Sequence, residues 1–403
     1  MWWLTVVEPG RGPGDMGQRG VLVGACLLVL AGAVYMQQQQ GARMAVLFGI
    51  GVLLGATLYL AAFGFAGAYR AFINHRRAEG INAQLLLLAL ATLVFAPLLS
   101  QGELFGQRFG GALAPVGVSV AVGAFLFGIG MQLGDGCASG TLFTLGGGSR
   151  RMLLTLVGFM AGSVLATYHM PFWWKTPSLE PVSLGQSLGW PVAVVVQLAV
   201  LGAIYLLVRR LEAKSPAEQG VGPAPRIWPL WLGAVGLVLL NIATLLAAGH
   251  PWSIAWGYTL WGAKLAHGLG LDIASTVFWG SGYPRQALGA GLLTDVTSLM
   301  NFGIIIGAAA VAGFAGRFLP PLRINVRQAM AAVVGGVLMG YGARLAFGCN
   351  IGAFFSGVAS FSLHGWLWIL AAFPGTWLGV RLRPLFAMDS VRAVAPQALA
   401  KAP

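Results

Sequence analysis

Two stretches decide the fold: Gly128-Ile-Gly-Met-Gln-Leu-Gly-Asp-Gly-Cys-Ala-Ser-Gly140 and Gly340-Tyr-Gly-Ala-Arg-Leu-Ala-Phe-Gly-Cys-Asn-Ile-Gly352. Set 212 residues apart without a gap, they share Gly128/Gly340, Gly130/Gly342, Leu133/Leu345, Gly136/Gly348, Cys137/Cys349 and Gly140/Gly352, with Phe143/Phe355 just beyond. The same glycine-rich interruption at corresponding places of two apolar halves points to an internal repeat with a binding site at its interface. Between the copies lies the most polar, proline-rich stretch of the interior, residues 212–228 (EAKSPAEQGVGPAPRIW). It reads as a linker between a first half, 1–211, and a second, 229–390.

The rest of the chain fits a lipid setting. Of 403 residues, 57% are hydrophobic and 9% charged, and mean hydropathy is +0.79. A soluble domain carries about 25% charged residues, so a soluble enzyme and a disordered chain are both excluded. The predicted fold class is all-α: a polytopic membrane protein of 9 to 10 transmembrane helices plus short re-entrant or loop helices, in two inverted pseudo-symmetric repeats. A bilayer core needs about 20 apolar residues per helix. The expected spans are 20–36, 44–66, 81–100, 112–133, 151–170, 190–208, 229–249, 288–316 (broken or tilted), 327–347 and 364–380. The shorter stretches 252–267 and 273–287 read as half-helices or interfacial pieces, and Gln37–Gln40 as a polar turn.

Net charge is +13, which in a soluble protein would suggest nucleic acid. Here the cations sort by topology, and no nucleic-acid partner is expected. With the N-terminus in the cytoplasm and ten alternating spans, all Lys and Arg except Arg43, Arg108, Lys175, Lys264, Arg285 and Arg344 fall inside, 18 of 24. That bias places both termini in the cytoplasm. The helix before Cys137 then runs inward and the one before Cys349 outward, so the copies are inverted. The opening segment lacks a secretory cleavage pattern, and the first apolar stretch is expected to be retained.

Chemistry concentrates in the two interruptions. Gly134, Gly136, Gly140 and Gly146–Gly148 crowd round a cysteine and an acid. Broken backbone at membrane depth is tolerated where it is buried or lines a cavity, and its amides can cradle an anion. A single membrane cysteine is usually a small core hydrophobe, and Cys26, with no repeat partner, is read that way. The matched setting of Cys137 and Cys349 favours a soft, weakly donating contact for a sulfur-bearing anion; a disulfide between them is left open by the sequence. Gly136, Gly348, Ser139, Asn350 and Ser356 complete the candidate site, with hydroxyl and amide donors beside the thiols. Arg344 either draws an anion toward the outer mouth or snorkels to the interface. Asp135 is expected to cap the following short helix, and Arg70, His75, Arg76 and Arg77 to be explained by topology alone. Lys264, His267, Asp272 and Asp295 are read as buried pairs or loop residues, His364 as a capping or interfacial residue. Small residues at four-residue spacing (Gly51/Gly55, Gly158/Gly162, Gly303/Gly307) should bring helix backbones together. No nucleotide, metal or hydrolase fingerprint appears; no cofactor, no metal and no catalytic residue is expected, and the chain is not read as an enzyme.

The stretches Gly342–Gly357 and Phe361-Ser-Leu-His-Gly-Trp366 closely resemble the YeeE/YedE sulfur-transport family, and Leu133–Gly140 resembles its other cysteine loop. The resemblance implies a bacterial inner-membrane, multi-pass protein of inverted repeats that takes up thiosulfate, or in some relatives handles selenium. It also implies that cysteines along a central path contact the ion in turn, Cys349 as the outer contact and Cys137 as the inner. The further cysteine that the family often carries has no counterpart in Gly64-Phe-Ala-Gly-Ala-Tyr-Arg70. Two other readings stand beside transport: an integral-membrane sulfur transferase using a persulfide on Cys137 or Cys349, and an anchor handing sulfur to a soluble carrier or rhodanese-like protein.

Overall fold

Long runs without charge form helices because every backbone group must be satisfied inside the bilayer. In the computed structural model, which describes residues 15–104, 106–213, 226–318 and 324–388, they are α1 Asp15–Gln40, α2 Ala42–Ala61, α3 Phe65–His75, α4 Glu79–Gln101, α5 Val118–Leu133, α6 Ala138–Gly146, α7 Arg150–Trp173, α8 Leu184–Leu188, α9 Trp190–Leu211, α10 Leu230–Ala248, α11 Ala255–Gly268, α12 Gly282–Gly289, α13 Val296–Phe314, α14 Val326–Leu345, α15 Ser356–Ala359 and α16 Leu363–Leu382. A π-helical turn, Asn350–Phe355, leads into α15. Among the described residues, strand structure is confined to two-residue pairings, 103–104 with 107–108 and 116–117 with 178–179, and an isolated bridge between Ser183 and Ser362.

Nine stretches among the described residues are long and apolar enough to cross a bilayer. Three of them are broken helices: α2–α3, α5–α6, and α14 with the π-turn and α15. The chain is therefore an all-α, multi-pass membrane protein. Leu27, Leu28, Leu30 and Val34 on α1, and Val195, Leu206 and Leu207 on α9, are exposed. So broad an apolar surface belongs against acyl chains. Cys26, read as packing, lies on this exposed side of α1.

Several boundaries differ from the sequence expectation. Gln37–Gln40 are not a turn: α1 runs through them, and Gln40 Nε2 donates to Leu293 O (3.1 Å). The span expected at 112–133 begins only at Val118, because 116–117 pair with 178–179 instead. The broken segment 288–316 resolves into a 3-10 turn, Leu292–Thr294, and α13. Asp295 separates them: its Oδ2 accepts from Ser298 N (2.7 Å) as N-cap, and its Oδ1 accepts from Trp256 Nε1 and Tyr283 Oη (both 3.0 Å). Most of the proline-rich linker, 214–225, lies outside the described residues.

The packing repeats under exchange of the two halves. α7 lies on α14 as α16 lies on α5; α13 on α2 as α4 on α10; α1 on α13 as α9 on α4; and α5 meets α14 at the centre. The central crossing is reciprocal at atomic detail. A methyl added to Gly130 would meet Gly335 O at 2.6 Å and Met339 N at 2.7 Å, and one added to Gly342 would meet Gly123 O and Phe127 N in the same way. The repeat offset turns Gly123 into Gly335 and Gly130 into Gly342, so the two contacts are one contact seen twice. Glycine also closes α2 on α13, where Gly51 faces Met300 O and Gly303 faces Phe48 O.

Candidate functional site

The turn that ends each central helix is the same. In the first repeat Gly134 N donates to Gly130 O (2.8 Å) and Gly136 N to Met131 O (3.1 Å); in the second Ala346 N donates to Gly342 O and Gly348 N to Ala343 O (both 2.9 Å). The residue between, Asp135 or Phe347, is left-handed in both (φ 62° and 57°). Such a helix end satisfies the last carbonyls and turns the chain sharply. Cys137 and Cys349 follow two residues later as the N-caps of α6 and the π-turn, in extended backbone. Both thiols are free and fully buried.

Around Cys137, its Sγ lies 3.3 Å from Ser139 Oγ, Thr141 Oγ1 donates to its carbonyl (3.0 Å), and Tyr258 Oη donates to Ala138 O (2.9 Å). Around Cys349, Ala353 N and Phe354 N donate to its carbonyl (2.9 and 3.3 Å). The segments that the two cysteines open, α6 and the π-turn, touch one another, and Tyr258 reaches the first of them from α11, one of the stretches read as half-helices. Its ring packs edge-on to Phe159 (4.8 Å).

Asn350 is fully buried, and neither its Nδ2 nor its Oδ1 has a partner. An amide left unpaired in a dry interior costs about 1–3 kcal/mol, and a polar ligand would offset that cost. Ser356, also buried, is engaged: it donates to Trp252 O (2.7 Å) and lies 3.5 Å from Asn241 Nδ2, while Asn241 Oδ1 accepts from Trp252 N (2.8 Å). This network closes the break 249–254 between α10 and α11. A methyl on Gly136 or Gly140 would make only ordinary contact (3.5 Å to Gly140 C, 3.6 Å to Cys137 Sγ), whereas one on Gly348 would lie 2.7 Å from Ala353 N.

Three expectations are corrected. Asp135 makes no cap to α6. It pairs instead with Arg70 (2.8 Å), Arg383 (2.9 Å) and Arg151 (3.4 Å). Arg70 is accordingly more than a topological cation. His364 is not interfacial: it is buried, its Nδ1 2.6 Å from Ser362 Oγ. Arg344 places its guanidinium over the rings of Trp256 (5.9 Å) and Phe278 (5.3 Å), with Nε unpartnered. The sequence reading missed Tyr258, Asn241, Trp252 and Tyr69. Tyr69 lies on α3, and its hydroxyl is buried without a partner. The available signal was that Tyr69 and Tyr258 both sit on the half-helix after a mid-membrane break.

A cavity of about 430 Å³ between α3, α4, α9 and α16 shares Tyr69 and Phe354 with this region. Its remaining walls are almost wholly leucine, isoleucine and aromatic side chains, which suits hydrocarbon and not a charged solute.

Two repeats that meet at broken helices, with paired loops carrying polar and soft groups at the meeting point, are the arrangement in which many membrane transporters place their binding sites. Residues 60–378 match the profile of the family described as Sulphur transport. The chain belongs to that family. Over 348 residues it is 28% identical to the thiosulfate transporter TsuA of Spirochaeta thermophila, covering 81% of this chain and 95% of that one. To TsuA of Escherichia coli strain K12 it is 26% identical over 347 residues, 81% and 91% of the two chains. It is 35% identical to the probable transporter YedE of the same strain over 157 residues, a match spanning 37% of each.

Proposed function

We propose that this protein carries a small sulfur-containing anion, thiosulfate, across the bacterial inner membrane into the cytoplasm. Cys349 is the outer contact and Cys137 the inner. The observation that carries the reading is the pairing of two buried free thiols on matched turns, beside a buried amide, Asn350, with no protein partner. A thiol donates weakly, so an anion held by S–H groups and backbone amides is released as readily as it is bound. Gly136 and Gly348 give the backbone its close approach. Ser139 and Asn350 add stronger donors, Ser356, whose proton is committed to Trp252 O, holds the loop beside them, and the Tyr69 hydroxyl takes the place of the family's third thiol. Arg344 raises the local anion concentration at the outer entrance. With α16 as a tenth crossing beside the nine apolar stretches, both termini lie in the cytoplasm, which the cation bias supports.

Each negative charge moved inward against a negative-inside potential costs about 2.3 kcal/mol per 100 mV. Net uptake of a dianion therefore requires coupling or immediate consumption, and a soluble sulfur carrier or rhodanese-like protein at the cytoplasmic face supplies the latter. Uptake of radiolabelled thiosulfate into proteoliposomes tests the reading. Wild type and Cys26→Ala should accumulate label alike, and Cys137→Ala and Cys349→Ala should not. Undiminished uptake in both of the latter would remove the thiols from the mechanism.

A further inference from the structure

We propose that Arg70, Arg151 and Arg383 form a second anion-binding station immediately beyond Cys137, selective for divalent oxyanions, in which the Asp135 carboxylate occupies the cargo's place until the cargo arrives. The proposal rests on the transport reading for its direction of travel, and its own evidence is independent of the thiols.

The four side chains come from separate parts of the fold: Arg70 from α3, Asp135 from the turn after α5, Arg151 from the first turn of α7 and Arg383 from the end of α16. Both carboxylate oxygens are used, Oδ1 by Arg70 and Arg383 and Oδ2 by Arg151. Side-chain exposures of 30% for Asp135, 28% for Arg70 and 17% for Arg151 mean that water reaches the cluster, although most of each group is desolvated. An ion pair that served stability alone needs one cation. Even with Arg383 set aside, Arg70 and Arg151 outnumber Asp135 two to one. In addition, Arg151 Nε is buried without a partner, an unused donor on a group already oriented by Leu133 O (3.1 Å). Guanidinium is the side chain best suited to bind planar or tetrahedral oxyanions through paired N–H bonds.

Comparison of the repeats shows that this charge is an addition to the shared fold. The equivalents of Asp135 and Arg151 in the second repeat are Phe347 and Leu363, yet the Phe347 turn has the same hydrogen bonds and the same left-handed residue. The carboxylate is thus not needed to make the turn. It stands on one face only, two residues from Cys137, which the chain geometry limits to about 7 Å between Cα atoms. An anion leaving Cys137 on that face meets the arginines next. A monovalent anion gains little by displacing a carboxylate of equal charge, whereas a dianion gains from every arginine present.

Binding of sulfate, thiosulfate and chloride to the purified full-length protein, by isothermal titration calorimetry, tests this. The titrations are run in wild type and in a Cys137→Ala/Cys349→Ala background, which isolates the station from the thiols. Asp135→Asn removes the competing charge while retaining a residue that tolerates the left-handed region; it should tighten sulfate binding at least about tenfold, or about 1.4 kcal/mol. Arg151→Gln should weaken sulfate by a similar factor, and chloride should be indifferent to both. Unchanged sulfate affinity in Arg151→Gln overturns the proposal, even if Asp135→Asn does not fold. Parallel shifts for chloride and sulfate overturn the selectivity for dianions. Sulfate binding that follows the arginines while uptake ignores both cysteines would keep the station and discard the thiol path. The converse result would keep the thiols and discard the station.

Discussion

Gly130→Ala probes the geometry on which the site depends. The added methyl would lie 2.6 Å from Gly335 O and 2.7 Å from Met339 N, both backbone atoms that no rotamer change can move aside. Ordinary contact begins near 3.4 Å, so α5 and α14 must part by about 0.8 Å. Overpacking of this kind costs about 1–3 kcal/mol. Gly342→Ala, its counterpart by the repeat offset, meets Gly123 O and Phe127 N in the same way, and the pseudo-two-fold makes its cost similar. The double variant should cost less than the sum, because a helix pair already separated accommodates the second methyl. Gly202→Ala, on α9 with nothing within 4 Å, is the control and should gain up to about 1 kcal/mol from helix propensity. Thermal unfolding in detergent, followed by tryptophan fluorescence, reads all four. If Gly130→Ala and Gly342→Ala melt with wild type, or if their costs differ widely, the reciprocal crossing is wrong.

Two further outcomes follow from single side chains. Asn350→Leu removes an amide that bonds to nothing in the protein, so thermal stability should hold or rise while thiosulfate uptake falls at least about tenfold, the loss of one hydrogen bond to a charged ligand; retained uptake would show that Asn350 does not touch the cargo. Tyr283 lies outside the spans, and burial, with the Asp295 carboxylate beside it, pushes its pKa up to about 12. The neutral phenol is therefore favoured in the folded state, and its contribution is complete below about pH 10, where the unfolded chain titrates. It is lost as pH rises toward 12. Ultraviolet titration of tyrosinate should show one tyrosine fewer ionising near pH 12 in Tyr283→Phe, and the variant's stability should fall less between pH 10 and 12; an unaltered titration would refute the assignment.

The membrane class, the spans and the paired turns were legible because each is written in composition or short-range pattern: apolar runs of bilayer length, and a glycine–cysteine interruption occurring twice. What escaped was whatever depends on which helices meet. Arg70 and Arg151 follow or begin apolar helices, as topological cations do, and only the folded chain brings them to Asp135 with Arg383. The Asp135 side chain is drawn off the cap position because the left-handed turn belongs to the end of α5 and not to the start of α6. Tyr69, Tyr258, Asn241 and Trp252 sit within or beside mid-membrane breaks in the first part of each repeat, where no residue-for-residue match flags them. Arg344, read from its position as facing the outer mouth or the interface, is held between two aromatic rings supplied by residues far away in sequence.

The central claim is that one sulfur-bearing anion is held between Cys137 and Cys349. Anomalous diffraction at the selenium edge, from crystals grown with selenosulfate, addresses it directly. The account predicts a peak within hydrogen-bonding distance of a sulfur of Cys137 or Cys349 and beside the Asn350 amide, absent when both cysteines are alanine. A peak that persists in that double variant, or one found only away from both turns, would contradict it.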